Sequence, residues 1–548
     1  MKSALVAILL LLLEPTATVM PPSPPSPGEI PGYTSVSVPL DATGTGSRYD
    51  VGGGNNYASE LSEVPWQSLQ PGDVVNIYYR ATPYKHKILL SEQGTAENPI
   101  VINGVSDSSG TRPTISADGA VSVNPEEWNN AYRATLIMIN KREATGTDGI
   151  NAKHYLIQNL RLANVRPNYS YTHNGVTENY EDWSRAIWSA GGQHITLQGM
   201  VIENNGSGVF VQANEDPESL SRNWTIRGSK FENNGFYNRD HQIYLQSVSV
   251  PGEYNIVEGN YFGPPTPNQN SIAQLKIRST GVIVRYNYFE SAHRTLDLVE
   301  AQDAIPNWMY ENYTQQQVLE NYRTSYIYGN IFVNDFSGSG TPGVRPLHFG
   351  ADSLDGDALF SGSGDSNGEP GMRGYQSPTY FYNNTFYMRA SYPPTYPGGT
   401  YRGVLFDLEN NNSTVTPTPG TVDAWNNIFE FAGNTRIGAL NRSGTVNFLG
   451  KNLLYTGTLT IFAESDRRAN LMDPTPDPNT TVNYPGEIIT DSAGFTSPGY
   501  ELNAGSPAIG ESQTLPSYLP PVNLQPNGKL GGATLRPSSQ DLGAMESP

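Results

Sequence analysis

The sequence predicts an all-β fold, a right-handed parallel β-helix with long loop insertions, on three observations. From about residue 155 a short pattern recurs: an apolar strand, Asn or Gly, an apolar or aromatic strand, and Asn or Gly again. Examples are YLIQNLRLANV from Tyr155, HITLQGMVIENN from His194 and SYIYGNIFVND from Ser325. Aligned on the closing apolar residue (Leu162, Ile202, Phe231, Phe262, Phe289, Phe332, Phe386, Phe429), the units lie between 27 residues apart, Phe262 to Phe289, and 54, Phe332 to Phe386. A second set of short strands lies between them. A period that stretches while its strands stay constant belongs to a solenoid with variable loops; a propeller would repeat four strands per regular blade.

Residues 1–20 read as an export signal, with Lys2 as the positive start and Ala4 to Leu13 as an apolar run too short to span a bilayer. Residues 21–32 (PPSPPSPGEIPG) form a proline-rich linker, and residues 33–548 are expected to be a single β-helix domain. The expected location is therefore secreted, periplasmic or at the cell surface, as a monomer with no membrane association once the signal is removed. The chain has no cysteine, which excludes disulfides and thiolate metal sites and leaves stability to the core and the strand ladders. A formal net charge of -19 argues against nucleic acid and anionic membranes as partners. A local basic cluster would still accept an acidic glycan, because charge is screened over about 8 Å in physiological salt.

Each coil must turn sharply between strands, and Asn and Gly tolerate the left-handed backbone that such corners need. Asn side chains stacked at the corners are also placed to hydrogen-bond from coil to coil. Triplets such as Asn205-Gly206-Ser207 are accordingly read as corner chemistry rather than as glycan acceptors.

The second set of strands reads AIWSA (186–190), VFVQA (209–213), IYLQS (243–247), LKIRS (275–279), LDLVE (296–300), LHFGA (347–351) and LFDLE (405–409). Most alternate apolar, outward, apolar, as a strand with one buried face does. If they occupy equivalent places, the second residue of each strand, and the third of AIWSA, form one outward column: Trp188, Phe210, Tyr244, Lys276, Asp297, His348, Phe406. A column two residues later adds Gln212, Gln246 and Arg278. Aromatic rings at the ends would stack on sugars, and the polar side chains between would hold hydroxyls and carboxylates. His241 lies at a corner just before its strand, Arg294 and Glu300 flank theirs at the groove margin, and Arg345 and Arg373 sit near the His348 coil. The plainer reading, opposite charges stabilising a ladder, applies to any one of these residues; the cluster favours a site. No zinc-ligand spacing and no phosphate-cradling loop is present, so no metal ligand is assigned. The stretch 352–374 is expected to be a loop rather than a calcium site, and a calcium ion is neither required nor excluded.

The N-terminal LQPGDVV (69–75) followed by GTAENPIVI (94–102), the LKIRS strand followed by VIVRYN (282–287), and the C-terminal SPAIG (506–510) with DLGA (541–544) carry a resemblance. The chain resembles the right-handed parallel β-helix polysaccharide lyases, the chondroitinase B and alginate lyase group. The resemblance implies a lysine-bearing strand at LKIRS. Where that group places a lysine before serine this chain has Arg278, with Lys276 two residues earlier. The acidic pair that would hold calcium upstream is absent from Asn270-Ser271-Ile272-Ala273-Gln274.

The expected activity is lysis of a uronic-acid-containing polysaccharide by β-elimination. Lys276 and Arg278 would neutralise the carboxylate, Tyr244 or His348 would act as base and acid, and Asp297 would orient its neighbours. Two alternatives stand beside it. A glycoside hydrolase would need two carboxyl groups, such as Asp297 with Asp240, Glu300 or Asp303. A noncatalytic glycan-binding surface protein would use the same groove without cleavage.

Overall fold

The structure, a computed structural model, describes residues 44–545 except 141–150, 214–219, 266–272, 318–324, 337–345, 351–377, 391–402, 409–420, 456–479, 527–532 and a few shorter stretches. The residues expected to form the export signal (1–20) and the proline-rich linker (21–32) lie outside the described residues.

The corners follow from residue type. Asn159, Gly199, Gly228, Gly259, Tyr286, Gly329, Asn383 and Asn426 occupy the same turn in successive coils, and all have φ between 49° and 63°. A left-handed residue there breaks the extended backbone and redirects the chain into the next sheet. The result is a right-handed parallel β-helix with three long sheets among the described residues, 13-, 13- and 11-stranded. The first contains the strands Lys153–Gln158, Gln193–Gln198 and Arg222–Arg227. The second contains Arg185–Ala190, Ser207–Gln212, Ile243–Leu245, Ala273–Ile277, Arg294–Val299 and Leu347–Gly350. The third contains Val201–Glu203, Lys230–Glu232, Tyr261–Phe262 and Tyr288–Glu290.

The repeat alignment is borne out residue by residue. Leu162, Ile202, Phe231, Phe262, Phe289, Phe332, Phe386 and Phe429 are successive register partners along the third sheet. Their side chains fill the interior, and the rings of Phe231, Phe262, Phe289 and Phe332 stack at centroid spacings of 5.2, 4.6 and 5.0 Å. Identical large residues in one register position thus form a continuous stacked column in the interior.

The expected coil-to-coil asparagine bonding is also present. Asn260, Asn287, Asn330, Asn384, Asn427 and Asn452 are buried, the first five each donating Nδ2 to the next residue's Oδ1 at 3.0, 3.0, 3.0, 3.2 and 3.0 Å. Asn205 makes the same bond to Asn234 at 2.9 Å and is fully buried, in keeping with corner chemistry. Asn330 also donates to Val284 O at 2.9 Å and accepts the backbone N–H of Asn287 at 3.0 Å. Asn330→Ala would leave several of these buried groups unsatisfied, at about 1–3 kcal/mol each. A clear fall in the denaturant midpoint, with the fold retained, is expected from equilibrium unfolding monitored by circular dichroism.

Two lateral additions matter for the site. Residues 120–134 and the hairpin of Ser170–His173 with Val176–Asn179 flank the start of the second sheet, whose outermost strands are the hairpin and Ala120–Ser122. His173 joins them: its Nδ1 accepts from Ser122 Oγ at 2.9 Å and its Nε2–H donates to Asn130 Oδ1 at 3.0 Å. Burial, helped by Lys87 and Arg133, pushes this imidazole down to about 4 from 6.5. The unfolded chain therefore binds the proton more readily across that interval, so this contribution to stability is complete above pH 6.5 and is lost as pH falls towards 4. The wild-type melting temperature should fall more steeply than that of His173→Gln between those values, as differential scanning calorimetry would measure. The other addition is the C-terminal segment, whose Leu515, Leu519, Val522 and Leu524 cover the corner residue Tyr286 and outward aromatics of the first sheet, including Tyr326, Tyr328 and Tyr382.

Candidate active site

Alternation along the second sheet turns leucine and isoleucine inward and polar residues outward. Ile243 and Leu245, Leu275 and Ile277, Leu296 and Leu298, and Leu347 and Phe349 belong to the internal core, which puts Tyr244, Lys276, Asp297 and His348 on the opposite face. Register then stacks them: Trp188 pairs with Phe210, Phe210 with Tyr244, Tyr244 with Lys276, Lys276 with Asp297, and Asp297 with His348. One outward column therefore carries aromatic, aromatic, phenol, ammonium, carboxylate and imidazole in consecutive coils, at about 4.8 Å per step.

Asp297 is its hub. One carboxylate oxygen bonds His348 Nδ1, and the other lies 3.6 Å from Lys276 Nζ and 3.6 Å from an Arg294 guanidinium nitrogen. Burial alone would raise its pKa, but His348, Lys276 and Arg294 outweigh burial and hold it well below the ordinary carboxylate range. Because an ionised carboxylate accepts at Nδ1, a neutral His348 carries its proton there and keeps the lone pair on Nε2. The column is not open to solvent along its length. Asp297 is 0% exposed, His348 2%, and Lys276 and Arg278 6% each. Charges so shielded interact more strongly than they would in water.

The other expected residues divide. The His241 ring lies 5.8 Å from that of Tyr244, and its Nδ1 accepts the backbone N–H of Ala273 at 3.2 Å, which fixes it beside the column. Arg278 continues its strand through N–H to Leu245 O at 2.8 Å, in the position beside Gln246. Gln246 is buried and uses its side-chain oxygen to accept the Ala213 N–H at 3.3 Å, so it holds backbone; Gln212 is half-buried at the end of its strand. Glu300, Asp303, Arg345 and Arg373 lie outside the described residues.

Three expectations are corrected. Trp188 is not an exposed sugar platform: it is fully buried beneath Tyr132, rings 3.7 Å apart, in a cluster with Leu89, Trp128 and Met138. The lateral segment that brings Tyr132 there is remote in sequence. Phe210 is half-buried, but its ring stacks on Tyr244 at 4.3 Å and 7°, with Arg185 at 3.9 Å from its centroid, so its faces are used within the protein. Phe406 is not in the column. Leu347 pairs with Phe406 and His348 with Asp407, one residue on, and Phe406 turns inward against Phe349, Phe381 and Phe429. Leu405 and Phe406 are both apolar and both buried, so alternation alone left two registers, and the one adopted pairs Leu347 with Phe406. Register therefore continues the column from His348 to an aspartate position.

Two residues beside the column were missed, Tyr132 and Arg185. Arg185 stands immediately before the AIWSA strand, the offset at which His241 and Arg294 precede their own outward residues. Among the described residues no group of three His, Asp or Glu side chains is arranged to hold a metal ion.

No protein-family model matches the sequence, and no curated protein does. Among solved structures the fold is similar to that of the pectate lyase Pel9A, at 12% identity over 94% of this chain and 99% of that one, with a TM-score of 0.40. A GH136 lacto-N-biosidase from Eubacterium ramulus is similar at 13% identity over 81% of this chain and 68% of that one, TM-score 0.37. An alginate lyase from Paenibacillus sp. str. FPU-7 is similar at 12% identity over 78% and 95%, TM-score 0.28. These are likenesses of fold.

Proposed function

We propose that this chain is a secreted, single-domain β-helix enzyme that degrades an acidic polysaccharide by β-elimination. The observation that supports this reading most directly is the register column in which Lys276 stands between Tyr244 and the Asp297–His348 pair. In β-elimination a base removes the proton on the carbon next to the sugar carboxylate. Those electrons form a carbon–carbon double bond as the neighbouring glycosidic oxygen leaves with a proton. Lys276 and Arg278 neutralise the carboxylate, which makes the adjacent proton acidic. His348, oriented through Nδ1 by Asp297, takes that proton on Nε2, and Tyr244 donates to the leaving oxygen. Arg294 shares the charge of Asp297 with Lys276.

The hydrolase alternative is less well supported by the described carboxyl groups. It needs one acid that keeps its proton near neutral pH, about 5–9.5 Å from a second carboxylate. Asp297 is ionised and bound to cations, while Asp240 accepts Ser207 Oγ at 3.3 Å and the Phe236 N–H at 2.8 Å.

The test is to incubate the purified protein with a panel of uronic-acid and neutral polysaccharides, following ultraviolet absorbance of the new double bond and reducing ends together. Both signals should rise in parallel on an acidic polysaccharide. Reducing ends without the double bond would replace the lyase reading with hydrolysis, and retention on a polysaccharide gel with no change in chain length would replace it with binding alone.

A further inference from the structure

Arg185 opens the strand Arg185–Ala190 at one margin of the same face. Its guanidinium lies 3.9 Å from the centroid of the Phe210 ring and 5.5 Å from that of Trp183. The side chain is half-buried, its Nε is buried with no hydrogen-bond partner, and no carboxylate pairs with it among the described residues. Burial pushes the guanidinium down to about 10, with Asp240, Tyr132 and Tyr244 offsetting only part of the effect, so it is charged at neutral pH. A desolvated cation with no carboxylate paired to it costs free energy in the empty protein, and a donor in that condition calls for a partner. Stacking uses the flat face of a guanidinium and leaves its in-plane N–H groups for a planar acceptor such as a carboxylate.

Register places this cation in a pattern. Arg185 pairs with Ser207 and Ala273 with Arg294; extending the register of Val209, Ile243 and Leu275 aligns Ser207, His241 and Ala273. The row therefore reads Arg185, Ser207, His241, Ala273, Arg294, with a basic side chain at every second coil, about 10 Å apart. In a glycan that turns over at each linkage, every second sugar presents its carboxylate on the same side. Arg294 already faces Asp297, and His241 accepts the Ala273 N–H. Arg185 lies three coils from Lys276, about 14 Å along the axis.

We propose that Arg185 is a specificity-determining residue that binds the carboxylate of a sugar remote from the reacting bond, an inference resting on the acidic-glycan reading above. The test separates binding from cleavage by measuring calorimetric affinity for size-graded uronic-acid oligosaccharides in Lys276→Ala, with and without Arg185→Gln. Adding Arg185→Gln should weaken binding about tenfold or more for oligosaccharides long enough to span the three coils. It should leave the shortest ones unaffected and have no effect when the carboxylates are reduced to alcohols. In the otherwise native enzyme the same variant should raise KM on long substrates with kcat little changed, and the ligand-free melting temperature should hold or rise because an uncompensated charge is removed. Equal affinity with and without Arg185, or a sharply lower melting temperature in Arg185→Gln, would overturn the proposal and leave Arg185 a packing residue. If acidic oligosaccharides bind in an Arg185-dependent way but the wild type forms no double bond, the lyase reading fails and the Arg185 assignment stands.

Discussion

Lys276→Ala is expected to lower kcat on the acidic substrate by about a hundred- to a thousandfold, the usual loss when one preorganised charge stabiliser is removed. The size follows from its surroundings. The ammonium sits in a column that is 6% exposed at Lys276 and 0% exposed at Asp297, where water screens little. A substrate carboxylate arriving beside Tyr244 would meet this cation already positioned, 3.6 Å from Asp297. Because Arg294 and His348 remain to balance Asp297, the variant should stay folded, and Lys276→Arg should recover part of the rate by restoring the charge. The measurement is the initial rate of double-bond formation, with the melting temperature as control. A Lys276→Ala protein with wild-type rate would remove the lysine from the mechanism.

Asp297→Asn should have the larger combined effect. A neutral amide can present a donor to His348 Nδ1 and favour the wrong tautomer, and loss of the orienting carboxylate from such a pair costs about ten-thousandfold in kcat. The same change leaves Lys276 and Arg294 facing one another with no anion between them. Breaking a buried ion cluster by removing one partner costs about 3–5 kcal/mol. Loss of activity and of stability should therefore appear together, separating this variant from Lys276→Ala. The pH dependence has a defined sign. The folded pKa of Asp297 lies below its ordinary 3.8, so its contribution to stability is complete above that value and is lost only as pH falls through the folded one. Denaturant midpoints should show an acid limb in the wild type that is shallower in Asp297→Asn.

The coil repeat was legible because it rests on local chemistry. Asn and Gly mark corners through backbone sterics, and a large apolar residue closing each unit marks the interior, so the alignment from Leu162 to Phe429 transferred intact. The column from Tyr244 to His348 was legible for the same reason, each member being flanked by two unambiguous core residues. Legibility failed where that flanking was absent. Leu405-Phe406 gave alternation no polar reference, and a one-residue shift exchanged Phe406 for Asp407. It failed again where a distant segment decides exposure: strand alternation turns Trp188 outward, but Trp128 and Tyr132 bury it. Arg185 escaped notice because it precedes the apolar run by one residue, and its lack of a paired carboxylate is a property of three-dimensional neighbours.

The C-terminal segment changes how such a rod comes apart. A solenoid held only by neighbour-to-neighbour ladders frays from its ends, one rung at a time. Here Gln513 exchanges two hydrogen bonds with Asn426, Ala544 N–H reaches Thr385 Oγ1, and Tyr500 lies against Tyr288 and Tyr387, which ties rungs far apart in sequence to a single strap. Gly510 N–H to Asp541 and Leu542 N–H to Ala508 O buckle that strap onto itself. The rungs from Tyr288 to Asn426, which bracket the His348 rung, are thereby held together and should open to solvent as one block.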